Sequence, residues 1–315
     1  MEKGLKRSCV MVVVAFLAMV HVSLSVPFIM LHGIASHCSD DTNANFIQLL
    51  TNLSDSPGFC VEIGNGVVTS LFLPLNIQAE IACENVKQMK ELSQGYNIVG
   101  RSQGNLVARG LIEFCEDGPP VYNYISLAGP HAGISSIPPA ICGSDPACKK
   151  FDELIKGALY SEFIQDHLAP SGYYKIPNDM NEYLESSKYL PKLNNEIPDQ
   201  RNQTYKDRFT SLHNLVLVKF QDDEIITPND STWFGFYSDG EFEPLLSANQ
   251  TKLYTEDWIG LKTLDDAGKV KFVSVAGGHL NMADQDVVKH VVPYLQNQQS
   301  AAQSFNRKTK EPLHL

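Results

Sequence analysis

Past its first 25 residues this chain has no apolar run approaching the roughly 20 residues that a membrane-spanning helix requires, so no internal transmembrane segment is expected. It has no C-x-x-C and no H-E-x-x-H spacing, which leaves a zinc site or a thioredoxin-like redox centre without a sequence basis. No internal repeat is present. Positive charge is scarce as well: 25 Lys and Arg stand against 36 Asp and Glu, a formal net charge of −11, which argues against nucleic acid as a partner. No metal or organic cofactor is called for by any motif.

What is present begins with a leader. Lys3, Lys6 and Arg7 precede an apolar run from Cys9 to Val20, and the small residues Ser23 and Ser25 follow, a pattern that reads as a signal peptide over residues 1–25. The run is short for a membrane anchor, which is the weaker reading. Removing the segment leaves a chain long enough for one sizeable core plus an insertion. It also leaves six cysteines, Cys38, Cys60, Cys83, Cys115, Cys142 and Cys148, an even number that predicts three disulfides in an oxidising compartment, with the pairing open. Glycosylation acceptor triplets at Asn52, Asn202, Asn229 and Asn249 agree with passage through the secretory pathway, toward a lysosome or vacuole or the extracellular space.

Short β-branched or aromatic runs recur at Val26–Leu31, Phe59–Ile63, Tyr96–Val99, Val121–Leu127, Leu215–Phe220 and Val270–Val275, most of them separated by helical patterning. That alternation predicts an α/β fold with a mostly parallel sheet flanked by helices. Asn76–Gln94 places Ile77, Ile81, Val86, Met89 and Leu92 near one helical face before Gly95 ends it. The alternation breaks over about 132–212, where Pro138, Pro139, Pro146, Pro170, Pro177 and Pro191 interrupt short helical stretches, and this reads as a helical insertion over the active site. Its best helix spans about Lys149 to Leu168, with Phe151, Leu154, Leu159, Phe163 and Ile164 in phase, either packing on the core or also lining an acyl-chain pocket. From about Asn297 the chain is polar and aperiodic, which predicts a disordered tail over 297–315 and a catalytic domain over 26–296.

The pentapeptide Gly100-Arg101-Ser102-Gln103-Gly104 follows an apolar strand and precedes Asn105–Ile112, which reads as a helix. This is the context of a nucleophile elbow: the turn is too sharp for side chains beside the serine, so glycines flank it and the hydroxyl stands above the sheet edge. A serine hydroxyl needs a base, and in this architecture the chain order is nucleophile, acid, histidine. The last strand, Val270–Val275, runs through Ala276-Gly277-Gly278 into His279, the expected base; His131, after Val121–Leu127, is its rival. Leu215–Phe220 runs into Asp222, Asp223 and Glu224, of which Asp223 is preferred over Asp222 as the carboxylate that orients the imidazole. The oxyanion needs two amides, expected from Gln103 and from Ile34 in the loop Leu31-His32-Gly33-Ile34, with His32 bracing that loop.

Taken together, these residues resemble those of the palmitoyl-protein thioesterases, lysosomal hydrolases that remove fatty acyl groups from cysteines of lipid-modified proteins. The resemblance runs from about Pro27 to Leu295. It is carried by His32-Gly33-Ile34, Gln94-Gly95-Tyr96-Asn97 leading into the elbow, Trp233-Phe234-Gly235-Phe236-Tyr237, Leu253-Tyr254-Thr255-Glu256-Asp257 and Gly260-Leu261-Lys262. It implies an α/β-hydrolase fold with Ser102 as nucleophile, Asp223 as acid through a D-x-I-x-x-P pattern ending at Pro228, His279 as base, and Ile34 and Gln103 as oxyanion donors. It also implies bridges Cys83–Cys115 and Cys142–Cys148; Cys38 and Cys60 then remain to pair with each other, outside the family pattern. Three residues depart from that pattern: Arg101 replaces an aromatic residue, Asp222 an asparagine, and Gly278 an acidic residue. The reading is a cofactor-free serine hydrolase that removes palmitoyl groups from S-acylated proteins or peptides. The alternatives are a lipase or carboxylesterase acting on oxygen esters and, behind it, a non-catalytic binding protein on a hydrolase scaffold.

Overall fold

The computed structural model describes residues 25–137, 150, 153 and 156–296. The proposed leader up to residue 24, the Cys142–Cys148 pair and the expected tail from 297 lie outside the described residues.

Six strands form one parallel sheet in the order β2-β1-β3-β4-β5-β8. They are β1 (Phe28–Leu31), β2 (Gly58–Cys60), β3 (Tyr96–Arg101), β4 (Val121–Leu127), β5 (Asn214–Phe220) and β8 (Val270–Val275), while β6 (Phe236–Tyr237) and β7 (Leu245–Leu246) make a separate antiparallel ribbon. Parallel strands need crossovers, and these are helical: α1 (Asp41–Ser54) between β1 and β2, α2 (Val67–Phe72) and α3 (Leu75–Gln88) before β3, and α4 (Gly104–Phe114) between β3 and β4. With both faces covered, alternate strand residues enter two different cores. Ile29, Leu31, Ile98, Tyr124, Leu215 and Leu217 face α3, α4 and the segment between β4 and β5. Phe28, Met30, Val99, Ile125, Val216 and Val218 face α1 and the C-terminal helix Asp284–His290. This architecture is that of an α/β hydrolase.

Strand expectations hold with small changes at the ends. The second strand is shorter than expected; Val61 and Ile63 are buried but lie past the paired segment. The helix expected over 76–94 stops at Gln88, because Met89 turns extended and a 3₁₀ turn, Lys90–Leu92, buries Leu92 before Gly95 (φ 105°) admits the chain to β3. The helix expected over 149–168 is not continuous. A turn at Leu159 and Tyr160 draws both side chains inward, the Tyr160 hydroxyl meeting Ile176 N and Tyr174 O, before a new helix, Glu162–His167, begins. Phe163, expected on the apolar face, is 69% exposed.

Candidate active site

All six strands run the same way, so the loops after β1, β3, β5 and β8 converge on one edge of the sheet, where open parallel sheets bind their ligands. The four expected contributions, His32–Ile34, Ser102, Asp223 and His279, leave those four strands in turn.

At the elbow Ser102 adopts a left-handed φ of 51°. A side chain at Gly104 would strike the carbonyl oxygens of Leu31 and His32, and one at Gly100 would strike Asn105. Gly104 thus marks close approach of backbone to backbone, and Gly100 leaves room for the Asn105 side chain. Asn105 is fully buried and donates through Nδ2 to the carbonyls of Ser102 (3.0 Å) and Leu127 (2.9 Å), tying the elbow to β4.

His279 Nε2 lies 2.9 Å from Ser102 Oγ, and its Nδ1 lies 2.8 Å from Asp223 Oδ2. A carboxylate can only accept, so Nδ1 carries the proton toward Asp223 and the neutral ring leaves Nε2 free to accept from the serine. The Asp223 side chain is wholly buried, and its other oxygen accepts from the amides of Ile225 (2.8 Å) and Ile226 (3.2 Å). Asp222 is exposed; its carboxylate instead accepts from Gly277 N at 3.3 Å, and its own amide donates to Gly277 O, pinning the loop that carries His279. The rival, His131, is buried elsewhere, stacked on Phe234 with centroids 4.6 Å apart and sharing a hydrogen bond with Ser126 Oγ. Burial and the nearby Arg109 hold its pKa well below the ordinary histidine value.

The loop after β1 abuts the serine closely: a Cβ at Gly33 would lie 3.1 Å from Ser102 Cβ. His32 braces that loop through Glu62, 2.7 Å from its Nε2, and Glu62 also accepts from Cys38 N at 2.6 Å. His32, Cys38 and Glu62 thus cluster, but Cys38 is bonded to Cys60 and offers no thiolate to a metal. Cys83 is bonded to Cys115. Residues that sequence reasoning missed complete the setting. Buried Ser70 accepts through Oγ from Ala35 N at 2.9 Å, and its carbonyl accepts from Gln103 Nε2 at 2.7 Å, so one residue of α2 holds the residue after Ile34 and the side chain of Gln103. Gln103 Oε1 in turn accepts from Tyr173 OH at 3.0 Å, which holds the segment between β4 and β5 against the elbow.

Of the acceptor asparagines, Asn52 and Asn249 are exposed. Asn202 is half-buried and caps the helix Gln203–Thr210, whereas Asn229 Nδ2 donates to Phe220 O and its side-chain oxygen is buried. No described helix is long and apolar enough to cross a membrane.

A family model described as palmitoyl protein thioesterase matches residues 27–279. Palmitoyl-protein thioesterase 1 of Caenorhabditis elegans is 35% identical over 85% of this chain and 90% of its own length. Palmitoyl-protein thioesterase 3 of Dictyostelium discoideum is 33% identical over 89% and 96%. Lysosomal thioesterase PPT2 of Homo sapiens is 29% identical over 80% of each.

Proposed function

Because the chain belongs to the palmitoyl protein thioesterase family, we propose that Ser102, His279 and Asp223 carry out thioester hydrolysis on S-acylated proteins or peptides. The observation that carries this reading is the unbroken relay from Ser102 Oγ through the His279 ring to a buried Asp223. His279 Nε2 takes the hydroxyl proton as Ser102 Oγ attacks the thioester carbonyl. The oxyanion is received by the amides of Ile34 and Gln103, whose positions Ser70 supports. The C–S bond then breaks. A cysteine thiol has a pKa of about 8.5, so its thiolate departs with less help from the imidazolium than an alkoxide would need. Once the imidazolium has passed its proton to the departing sulfur, His279 deprotonates water, which attacks the acyl-serine; the proton returns from His279 to Ser102 Oγ as the fatty acid leaves.

Residues 1–25 read as a leader into the secretory pathway, in keeping with the bonded cysteines and with relatives named as lysosomal thioesterases. The test is hydrolysis of a palmitoyl-cysteine peptide and the matching palmitoyl-serine ester at about pH 5 and about pH 7, with Ser102→Ala as control. Thioester turnover that disappears in Ser102→Ala is the expected result. A preference for the oxygen ester would make the chain a lipase or carboxylesterase, and no turnover with Ser102 unlabelled by a fluorophosphonate would sink the catalytic reading.

A further inference from the structure

Arg101 immediately precedes the nucleophile and is 7% exposed. Being on β3, its side chain enters the core opposite to α4, where the guanidinium sits 5.2 Å from the centroid of the Phe46 ring. Among the described residues no carboxylate pairs with it, and its Nε has no partner. Such burial is costly for a cation and pulls its pKa below the ordinary arginine value. One hydrogen bond offsets that cost: Nη1 donates to Asn43 Oδ1.

Asn43 is the informative partner. It is buried on the first turn of α1, and its Nδ2 donates in two directions, to Ser36 Oγ at 2.8 Å and to His37 O at 2.8 Å. Asp40 Oδ2 closes the turn by accepting from Ser36 Oγ (2.6 Å) and His37 N (2.9 Å). Ser36 and His37 belong to the same short loop as Gly33 and Ile34, and Gly33 lies against Arg101 O and Ser102 Cβ. The arginine acceptor on Asn43 and the loop donors on Asn43 are different atoms of one amide. Arg101 therefore orients that amide: reversing it would put an NH₂ against the guanidinium and a carbonyl against His37 O.

We propose that Arg101 is a positioning residue which, through the Asn43 amide, holds the Ser36–His37 end of the loop that presents the Ile34 amide to the oxyanion. The proposal rests on the hydrolase reading above, but it concerns how fast Ser102 passes through an oxyanion-stabilised addition, whatever the acyl donor.

The discriminating variant is Asn43→Asp. It keeps the shape and gives Arg101 a charged acceptor, yet removes both donors to the loop. The readout is the second-order rate of Ser102 labelling by an alkyl fluorophosphonate on the full chain, alongside kcat and KM on the palmitoyl-cysteine peptide. Losing one oxyanion donor outright costs about 100- to 1,000-fold, so a loosened one should cost on the order of tenfold in labelling and in kcat, with KM within about twofold. Arg101→Met should do the same, Arg101→Lys should recover most of the loss by keeping a donor, and Leu50→Ala, in the same core but off this path, should leave labelling of the folded chain unchanged. If Asn43→Asp or Arg101→Met folds and labels within about twofold of the parent, the proposal is wrong. A parent that labels at Ser102 but does not hydrolyse the thioester would instead overturn the substrate reading, and the labelling rates would still decide this one.

Discussion

The two faces of the sheet are built differently. The face toward α1 and the C-terminal helix is filled mainly by aliphatic and aromatic side chains, Phe28, Met30, Leu50, Val99, Val216, Val218 and Val287 among them. The face toward α4 has an apolar lining too, but a buried polar network crosses it. There Arg109 donates to Glu113 Oε1 (2.8 Å), Asn194 Oδ1 (2.6 Å) and Leu193 O (2.9 Å), while its guanidinium lies over Phe209 and Phe234. Asn194 Nδ2 donates to His131 O and Glu196 Oε1, and Glu196 pairs with Lys175. Tyr189 OH reaches Leu106 O. Three of these bonds, from Arg109 to Asn194 and to Leu193 O and from Tyr189 to Leu106 O, tie α4, which starts two residues after Ser102, to the long segment between β4 and β5. One face holds the sheet together mainly by volume, with the Arg101–Asn43 bond as its polar exception; the other uses directional bonds to lock the covering segment onto the elbow helix.

That difference can be broken from either side. The largest effect is expected for Arg109→Met, which leaves Glu113 buried with its ion partner gone; breaking a buried pair this way costs about 3–5 kcal/mol. Denaturant titration should show that loss, with Arg109→Met combined with Glu113→Leu recovering part of it, and kcat per folded molecule should fall as the covering segment loosens. Leu50→Ala on the aliphatic face should cost about 2–4 kcal/mol by cavity formation while leaving kcat of the folded fraction intact. A kcat loss as large as that of Arg109→Met would erase the distinction between the faces.

A smaller, pH-dependent effect sharpens it. Burial pushes the Glu113 carboxyl up to about 7 from an ordinary 4.5, against the pull of Arg109. The folded state then binds a proton more tightly than the unfolded one. Its stabilising contribution is therefore complete below pH 4.5 and is lost as pH rises through about 7. Melting curves across that window should show the parent losing stability toward neutral pH and Glu113→Gln losing less. Equal slopes would mean that Glu113 stays ionised in the pair throughout.

The same contrast explains what could be read from the sequence. The sheet was legible because its strands appear as compact β-branched runs: Val121–Leu127 and the edge strand Val270–Val275, on which Phe272 and Ser274 are exposed, both end where the patterning ends. The positions of Ser102, Asp223 and His279 at one edge of the sheet were legible because each follows a strand at a defined offset. The covering segment was not. Its course depends on Tyr160, Tyr173, Tyr189 and Asn194 finding backbone or side-chain partners 16 to 85 positions away in the chain, which no local periodicity encodes. Helical spacing accordingly extended one helix across Leu159 and Tyr160 and placed Phe163 inward. A usable signal did exist at Arg109 and Glu113, a charged pair at i,i+4 inside the otherwise apolar Leu106–Phe114 stretch. It is read as a surface pair only if the apolar residues on both sides are ignored. Ser70 gave no such signal; its role emerges only once α2 is seated beside the loop after β1.

The central claim is that thioester cleavage passes through an acyl group on Ser102. Acid quenching the chain within its first turnovers on a palmitoyl-cysteine peptide, followed by peptide mapping with mass spectrometry, tests this directly. The expected result is a palmitoyl adduct on the peptide containing Ser102, formed far more slowly in His279→Gln, which lacks the base for the attack, and absent from Ser102→Ala. An adduct on a different residue, or hydrolysis that persists in Ser102→Ala, would contradict it.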